Sequence, residues 1–243
     1  MGNKITFSVD VEKDLHSDTY LSLTQGLKSF EVICDKHKIK PILFVTGDCI
    51  KEHPEIFKRL ASKGWEISSH GLTHNRFDEM SDKEKESEIK ESLLYFKKYL
   101  GSRPKGFRAP QHSIDNKTLD LLEKHGFEYD SSYTPFNALQ LVFFPTKLGL
   151  WLESFFSPFN QYRIRNNLTE RPTSALIIPF VSLTVRVFPK SLLYFYVKLI
   201  KLLYKEPMFY AHSWDFIQLK ESRVDRTFPH TILLEKLDYI MSS

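Results

Sequence analysis

A short apolar run leads into two histidines in the segment Trp65-Glu66-Ile67-Ser68-Ser69-His70-Gly71-Leu72-Thr73-His74. The two imidazoles are four residues apart, a spacing that puts both on one side of a helix or tight turn, where they can share a metal ion. A histidine pair by itself is more often a surface or core feature than a ligand pair. We therefore predict a metal site only if the rest of the chain supplies a carboxylate ligand, a base and an acid.

Strands and helices alternate on both sides of this segment through the first half of the chain. Apolar runs predict strands at residues 4–9, 41–45, 65–69, 106–110 and 127–130. Helical spacing and capping residues predict helices at 18–38, 48–62, 81–100 and 115–125. This alternation predicts a parallel α/β sheet or barrel.

The regular alternation stops after Tyr133. Residues 135–172 are rich in aromatic residues, Pro and Asn, and we interpret them as an irregular insertion. Beyond them we predict strands at 175–178 and 208–211 and helices at 191–204 and 230–241. The length fits one α/β barrel or two small domains, and we treat residues 1–243 as a single domain.

Polar side chains lie where the predicted strands end. In parallel α/β folds these ends meet on one side of the molecule, and their polar residues gather into one site. The residues at strand ends are Asp10, Glu12, His70, Arg108 and Asp130, and His212 follows the last predicted strand. This coincidence is the strongest indication in the sequence of a catalytic centre.

A hydrolytic metal site needs about three protein ligands and an open position for water. His70 and His74 supply two ligands, and Glu12 is the candidate for the third. Asp10 points to the same side of an extended chain as Glu12, because side chains two residues apart share a face. One carboxylate can therefore bind the metal while Asp10 takes a proton from the attacking water.

Three further residues have candidate roles in the same reaction. His212 can protonate the leaving nitrogen, Arg108 can hold Asp10 ionised and oriented, and Asp130 can orient His212 and raise its pKa. Simpler interpretations stay open: Arg108 can be a structural ion pair, His212 a core histidine, and Asp130 fits a structural role equally well. His112 follows Arg108 closely, and we assign it no role.

Five segments of the chain carry these residues: Phe7-Ser8-Val9-Asp10-Val11-Glu12, Ser69-His70-Gly71-Leu72-Thr73-His74, Phe107-Arg108-Ala109-Pro110, Tyr129-Asp130-Ser131-Ser132 and Tyr210-Ala211-His212-Ser213-Trp214. In their order they resemble the motifs of the polysaccharide deacetylases, also called the NodB-homology or carbohydrate esterase 4 group. The resemblance implies a distorted (β/α) barrel of about seven parallel strands, a divalent metal ion and N-deacetylation of amino sugars. It also implies the roles described above for Asp10, Glu12, His70, His74, Arg108, Asp130 and His212.

The chain departs from the common family pattern at three places. Val11 separates the two acidic residues of the first motif, as in a subgroup whose motif reads Asp-Val-Glu or Asp-Val-Asp. The fourth motif lacks the tryptophan that often follows its aspartate, and Tyr133 is the candidate to replace it. The insertion at 135–172 is not part of the common core, and we expect it to shape the substrate groove.

The donor set and the resemblance together define the expected cofactor and substrate. Two imidazoles and a carboxylate suit zinc, and they also suit cobalt, nickel, iron or manganese. We expect the substrate to be an amino sugar in a polysaccharide or a lipid-linked glycan precursor. Two alternatives stay open: a deformylase or amidase acting on another C–N bond, and a carbohydrate-binding relative that has lost turnover.

Composition limits the other classes of function. The net charge of +4 is mild and does not require nucleic acid as a partner. Cys34 and Cys49 are too few for a disulfide framework, and without an apolar leader we expect a cytoplasmic protein. The helix at 191–204 is apolar on more than one face, so peripheral contact with the membrane surface is the alternative to ordinary packing on the sheet.

Overall fold

The computed structural model describes residues 3–14, 19–138, 148–219 and 226–242. The strands in these residues are, in chain order, β1 (Thr6–Val11), β2 (Ile42–Val45), β3 (Glu66–Ser69), β4 (Gly106–Phe107), β5 (Tyr129–Asp130), β6 (Tyr162–Arg163), β7 (Thr169–Glu170), β8 (Ala175–Leu176), β9 (Ile178–Pro179) and β10 (Met208–His212).

Eight of these strands form one curled sheet in the order β10-β1-β2-β3-β4-β5-β7-β6. All neighbours are parallel except β6, which runs antiparallel to β7. The sheet therefore contains seven parallel strands, and the predicted barrel-like α/β fold is confirmed. Within the described part of the chain no pairing joins β10 to β6, so the barrel is open on that side.

Helices connect the strands. They are α1 (Leu27–His37), α2 (Gly47–Glu52), α3 (Pro54–Ser62), α4 (Asp82–Tyr95), α5 (Asn116–Lys124), α6 (Leu148–Phe155), α7 (Ser182–Val187), α8 (Lys190–Leu203) and α9 (His230–Ser242). A capping box starts α4, because the Ser81 hydroxyl accepts a bond from the Glu84 backbone and the Glu84 carboxylate accepts one from the Ser81 backbone. Gly101, at φ 71°, ends the π-helical turn that continues α4.

Strands β1 and β2 are buried on both faces. Every residue of β2 is buried, as are Phe7 to Val11 of β1. Such continuous apolar runs are typical of parallel strands that are covered by helices on one side and by the barrel interior on the other. Phe30 of α1 stacks on Phe216 at 4.6 Å in the outer layer of the core.

The structure differs from the predicted secondary structure in three places. Pro54 has no N–H to donate and His53 takes φ −134°, so the predicted helix at 48–62 is split into α2 and α3. The predicted strand at 175–178 is instead a two-strand hairpin, β8 and β9, outside the main sheet.

The third correction concerns residues 135–172. Residues 139–147 of this stretch lie outside the described residues, but the rest has more regular structure than we predicted. It contains helix α6, and β7 is the seventh parallel strand of the main sheet, paired with β5. The stretch therefore contributes to the barrel and is not only a surface excursion.

No helix in the described ranges combines the length and the apolar character that crossing a membrane requires.

Candidate metal centre and active site

The strand register brings the predicted site residues to one edge of the sheet. Asp10 at the end of β1 is directly opposite His212 at the end of β10. On the other side, Ser69 of β3 pairs with Phe107 of β4, so that His70 and Arg108 follow at the same level. Residues from opposite ends of the chain therefore face a common space.

Three side chains form the candidate metal centre. One ligand atom each from Glu12, His70 and His74 lies within 4.8 Å of the others. Nδ1 of His74 is 2.9 Å from Oε2 of Glu12, and the two imidazole rings have their centroids 5.3 Å apart. Glu12 and His70 are buried, whereas His74 is partly exposed. The set has the composition of a three-ligand site that is open toward solvent on the His74 side.

The hydrogen bonds of His70 leave one nitrogen available. Nδ1 lies 2.8 Å from the carbonyl oxygen of Arg108, which can only accept, so Nδ1 carries the proton. Nε2 therefore presents a lone pair, and burial lowers the pKa of this imidazole, which favours its neutral form. A neutral imidazole fixed through its other nitrogen is the form that binds metals.

Two buried atoms of this centre have no hydrogen-bond partner among the described residues: Nε2 of His70 and Oε1 of Glu12. An unpartnered buried acceptor costs about 1–3 kcal/mol. Both atoms would be satisfied by one cation between them, and both are of the types that bind a divalent ion. The residues present therefore fit a divalent metal ion, and imidazole with carboxylate suits zinc and its neighbours in the first transition row.

Asp10 lies beside the candidate metal centre and is almost completely buried. One carboxylate oxygen accepts a bond from Nη1 of Arg108 at 2.8 Å, and the other lies 3.6 Å from Nε2 of His70. Burial alone would raise the pKa of Asp10, but Arg108 and, to a smaller extent, His70 and His212 outweigh burial and lower it. The carboxylate is therefore ionised at neutral pH, as a general base has to be.

Arg108 is fully buried and held from several sides. Its Nε donates to the backbone oxygen of Ser131 at 2.9 Å, and Nη2 donates to the hydroxyl groups of Ser131 and Ser8. The guanidinium also lies 4.1 Å from the centre of the Phe44 ring. This fixes the orientation of Asp10 through the ion pair between them.

His212 ends β10, which lies on the other side of β1 from β3, the strand that leads to His74. Its Nε2 is 2.6 Å from the hydroxyl of Tyr210, and its ring stacks on Trp214 at 4.1 Å. Asp215 accepts the backbone N–H of His212 at 2.8 Å and lies 3.7 Å from Nδ1. Burial alone would lower the pKa of His212, but Asp215 and, more weakly, Asp10 raise it above its usual value. The imidazolium is therefore stabilised, which suits a general acid.

The role predicted for Asp130 as the partner of His212 is corrected by these contacts. The carboxylate of Asp130 accepts bonds from the backbone and the hydroxyl of Ser132, and Asp215 is the acid beside His212. Burial and the neighbouring Asp130 carboxylate raise the pKa of Glu170 well above its ordinary value, and Oε1 of Glu170 accepts the backbone N–H of Tyr133 at 3.1 Å. Asp130 belongs to a buried carboxyl pair that supports the loop below the site.

The structure also adds three residues that the sequence left without a role. The first is Asp215, which could have been found from the sequence because it stands three residues after His212, close to the end of the last predicted strand. His112 donates Nδ1–H to the Ser132 carbonyl at 2.7 Å, and burial and Arg108 lower its pKa to about 4. Its only signal was its closeness to Arg108 in sequence.

The third addition is Glu88 of α4. Its carboxylate accepts bonds from the backbone N–H groups of Leu72 and Thr73 at 2.9 and 3.1 Å and from the Thr73 hydroxyl at 2.6 Å. These residues form the loop between His70 and His74, so Glu88 holds the loop that carries two candidate ligands. Nothing in the sequence pattern distinguishes Glu88 from the other acids of this charged helix.

Comparison with known proteins gives a consistent set of relatives. Residues 18–129 match the family model for polysaccharide deacetylase. A peptidoglycan deacetylase of Helicobacter pylori is 32% identical over 116 residues, which cover 46% of this chain and 40% of that protein. Chitin deacetylase 2 of Saccharomyces cerevisiae is 27% identical over 96 residues, covering 40% of this chain and 31% of the relative. The matched region spans less than half the length of these relatives.

Solved structures share the fold across nearly the whole chain. A structure from Mycobacterium smegmatis assigned to the polysaccharide deacetylases has a TM-score of 0.71 at 16% identity and covers 98% of this chain and 83% of its own. An allantoinase has a TM-score of 0.68 at 14% identity, with 98% and 84% covered. The alignment in space thus includes the first and last strands, which carry Asp10 and His212 and lie outside the family-model match.

Proposed function

We propose that the chain, whose residues 18–129 match the polysaccharide deacetylase family model, is a member of that family and a metal-dependent hydrolase that removes an N-acyl group, acetyl above all, from an amino sugar. The observation that carries this proposal is the arrangement of Asp10 beside the candidate ligands and directly opposite His212. A base and an acid thus face the same space from neighbouring strands. We propose that residues 1–243 act as one catalytic domain.

The proposed ligands are Glu12, His70 and His74. A divalent ion held by them would polarise the acyl carbonyl and make a water molecule acidic, which is the chemistry such an ion supplies in hydrolases. Zinc is our first candidate, followed by cobalt, nickel, iron and manganese. The unpartnered buried atoms of Glu12 and His70 support this assignment.

The protein groups account for the proton transfers of the reaction. Asp10, kept ionised by Arg108, accepts one proton from the water as its oxygen attacks the acyl carbon. His212, kept protonated by Asp215, donates a proton to the amide nitrogen as the C–N bond breaks. The products are a carboxylic acid and the free amine of the sugar, and Asp10 and His212 exchange their protons with solvent before the next turnover.

The test is metal analysis of the purified protein, followed by an assay of acetate release from N-acetylated chito-oligosaccharides. We expect bound divalent metal, activity that a chelator abolishes and added metal restores, and no turnover in the Asp10→Asn variant although metal stays bound. Protein that binds metal but releases no acetate would point to an amidase or deformylase acting on another C–N bond. Protein that binds no metal would be an inactive relative. Near-normal rates in Asp10→Asn would exclude Asp10 as the base.

We propose that the sugar belongs to a polysaccharide or to a lipid-linked precursor, and that the reaction takes place in the cytoplasm at the inner surface of the membrane. The names of the relatives, which refer to peptidoglycan and chitin, support an amino-sugar polymer as the substrate class. Cell fractionation tests the location: recovery of the native protein with the outer envelope or the medium would contradict it.

A further inference from the structure

Helix α8 exposes apolar side chains on the face that points away from the core. Its inner face consists of buried residues such as Leu193 and Ile200. On the outer face, Leu202 is 75% exposed and Phe195 is 57% exposed, and Leu192 and Leu203 are about half exposed. Surface helices of globular proteins carry polar residues on this side. The helix therefore has two apolar faces, and the described residues cover only the inner one.

The charged residues of α8 are all lysines. Within residues 190–203 there is no Asp or Glu, and Lys205, two residues beyond the end of the helix, is followed by Glu206. Lys190 pairs with Glu235 at 2.6 Å, but among the described residues Lys198 and Lys201 have no carboxylate partner. Two unneutralised positive charges thus lie within the exposed apolar face.

A second exposed apolar segment adjoins the end of α8. Phe156, just after α6, is 77% exposed. Three residues later Phe159 packs on Tyr204 with ring centroids 5.3 Å apart, and the side-chain oxygen of Asn160 accepts the backbone N–H of Lys205 at 2.6 Å. The two segments are therefore held next to each other by the fold.

We propose that the outer face of α8, formed by Leu192, Phe195, Lys198, Lys201, Leu202 and Leu203, binds the surface of a bilayer that contains anionic lipid. Apolar side chains would enter the region between headgroups and acyl chains, and the lysines would extend toward the lipid phosphates. A negative surface is the partner that matches an acid-free helix, because each lysine near it adds favourable energy. A second copy meeting this face through a two-fold axis would bring the same lysines to the interface and no carboxylate from α8 to neutralise them. The inference extends the proposed peripheral location to named residues.

The test is co-sedimentation of the full chain with vesicles of phosphatidylcholine alone and of phosphatidylcholine mixed with phosphatidylglycerol. We expect binding to the mixed vesicles only, and weaker binding as salt is raised. Lys198→Ala combined with Lys201→Ala should weaken partitioning about 30-fold, from about 1 kcal/mol for each lysine. Leu202→Glu should abolish it. The matched control is Leu94→Glu on α4. Leu94 is 64% exposed but lies outside the proposed surface, so this substitution should leave vesicle binding unchanged.

Three results would overturn the proposal. They are failure of the wild type to bind either vesicle, binding that survives Leu202→Glu, and a wild-type dimer in gel filtration that Leu202→Glu converts to monomer. Circular dichroism melting curves establish that each variant is folded. Two comparisons separate this proposal from the enzymatic one. The Asp10→Asn variant should bind vesicles as the wild type does, because it changes only the proposed base. Wild-type protein that binds vesicles but releases no acetate would support the membrane surface and contradict the proposed reaction.

Discussion

Removing the positive charge of Arg108 should destabilise the protein strongly and stop the reaction. Arg108 is fully buried, donates to Asp10 at 2.8 Å and also holds Ser131 and Ser8. Removing one member of a buried ion pair costs about 3–5 kcal/mol, because the other charge stays buried without a partner. A single domain has about 5–15 kcal/mol of stability in total. Arg108→Met should therefore lose a large part of it.

The assay is urea unfolding at neutral pH in the presence of a chelator, so that metal binding does not contribute to stability. Asp10→Asn made in the Arg108→Met background should recover about 1–3 kcal/mol, because the buried carboxylate is then gone. Arg108→Lys keeps the charge but not the fork of donors, and should fall between the wild type and Arg108→Met. If the effects of the two substitutions simply add, Arg108 does not act through Asp10, and our account of the base is wrong.

The same pair predicts how stability depends on pH. The pKa of Asp10 in the folded protein is lower than in the unfolded chain, because Arg108 outweighs burial. This group therefore stabilises the protein above its unfolded pKa, and the stabilisation is lost as the pH falls through the folded pKa. Arg108→Met should lose this contribution, so its unfolding free energy should fall less steeply in acid than that of the wild type.

The remaining predictions concern the residues that the structure added to the site. Asp215→Asn should shift the basic limb of the kcat/KM profile to lower pH, because Asp215 raises the pKa of His212; an unmoved limb would exclude His212 as the acid. Glu88→Gln should weaken zinc binding in calorimetry about 10- to 100-fold by loosening the ligand loop, whereas Glu91→Gln, a neighbour on the same helix, should not. His112 has a pKa of about 4 in the folded protein, so the unfolded chain takes up its proton first and the free energy of unfolding should fall as the pH drops from about 6.5 toward 4. An NMR titration that gives the folded ring a pKa near 6.5 would contradict this.

The sequence predicted which side chains gather at one edge of the sheet, because these side chains follow apolar runs. Asp10, His70 and Arg108 each come at or just after a buried strand, and parallel strands bring such positions together whatever lies between them in sequence. The α/β class followed from the same alternation. These are regular, repeated signals, and the structure agrees with them.

The parts that sequence could not predict depend on short or non-local features. Strands β6 and β7 have two residues each, too few to show a period, so the stretch containing them resembled an irregular insertion. The choice between Asp130 and Asp215 as the partner of His212 depends on the path of the chain after β10, where Ser213–Phe216 form a tight 3₁₀ turn that returns Asp215 to His212. Pattern alone does not distinguish two acids that both follow strands.

The pairing of β1 with β10 has a consequence for the order in which the protein acquires its parts during synthesis. Thr6 is opposite Met208, so β1 cannot pair with β10 until about two hundred further residues have been synthesised. Contacts this distant in sequence form slowly, because the entropy of closing a long loop is lost before the contacts contribute any favourable energy. A nascent chain ending before β10 would already contain Glu12, His70 and His74. With the roles proposed above, such a chain would have the metal ligands but not the acid, and we expect hydrolytic activity only after β10 has been made and has paired with β1.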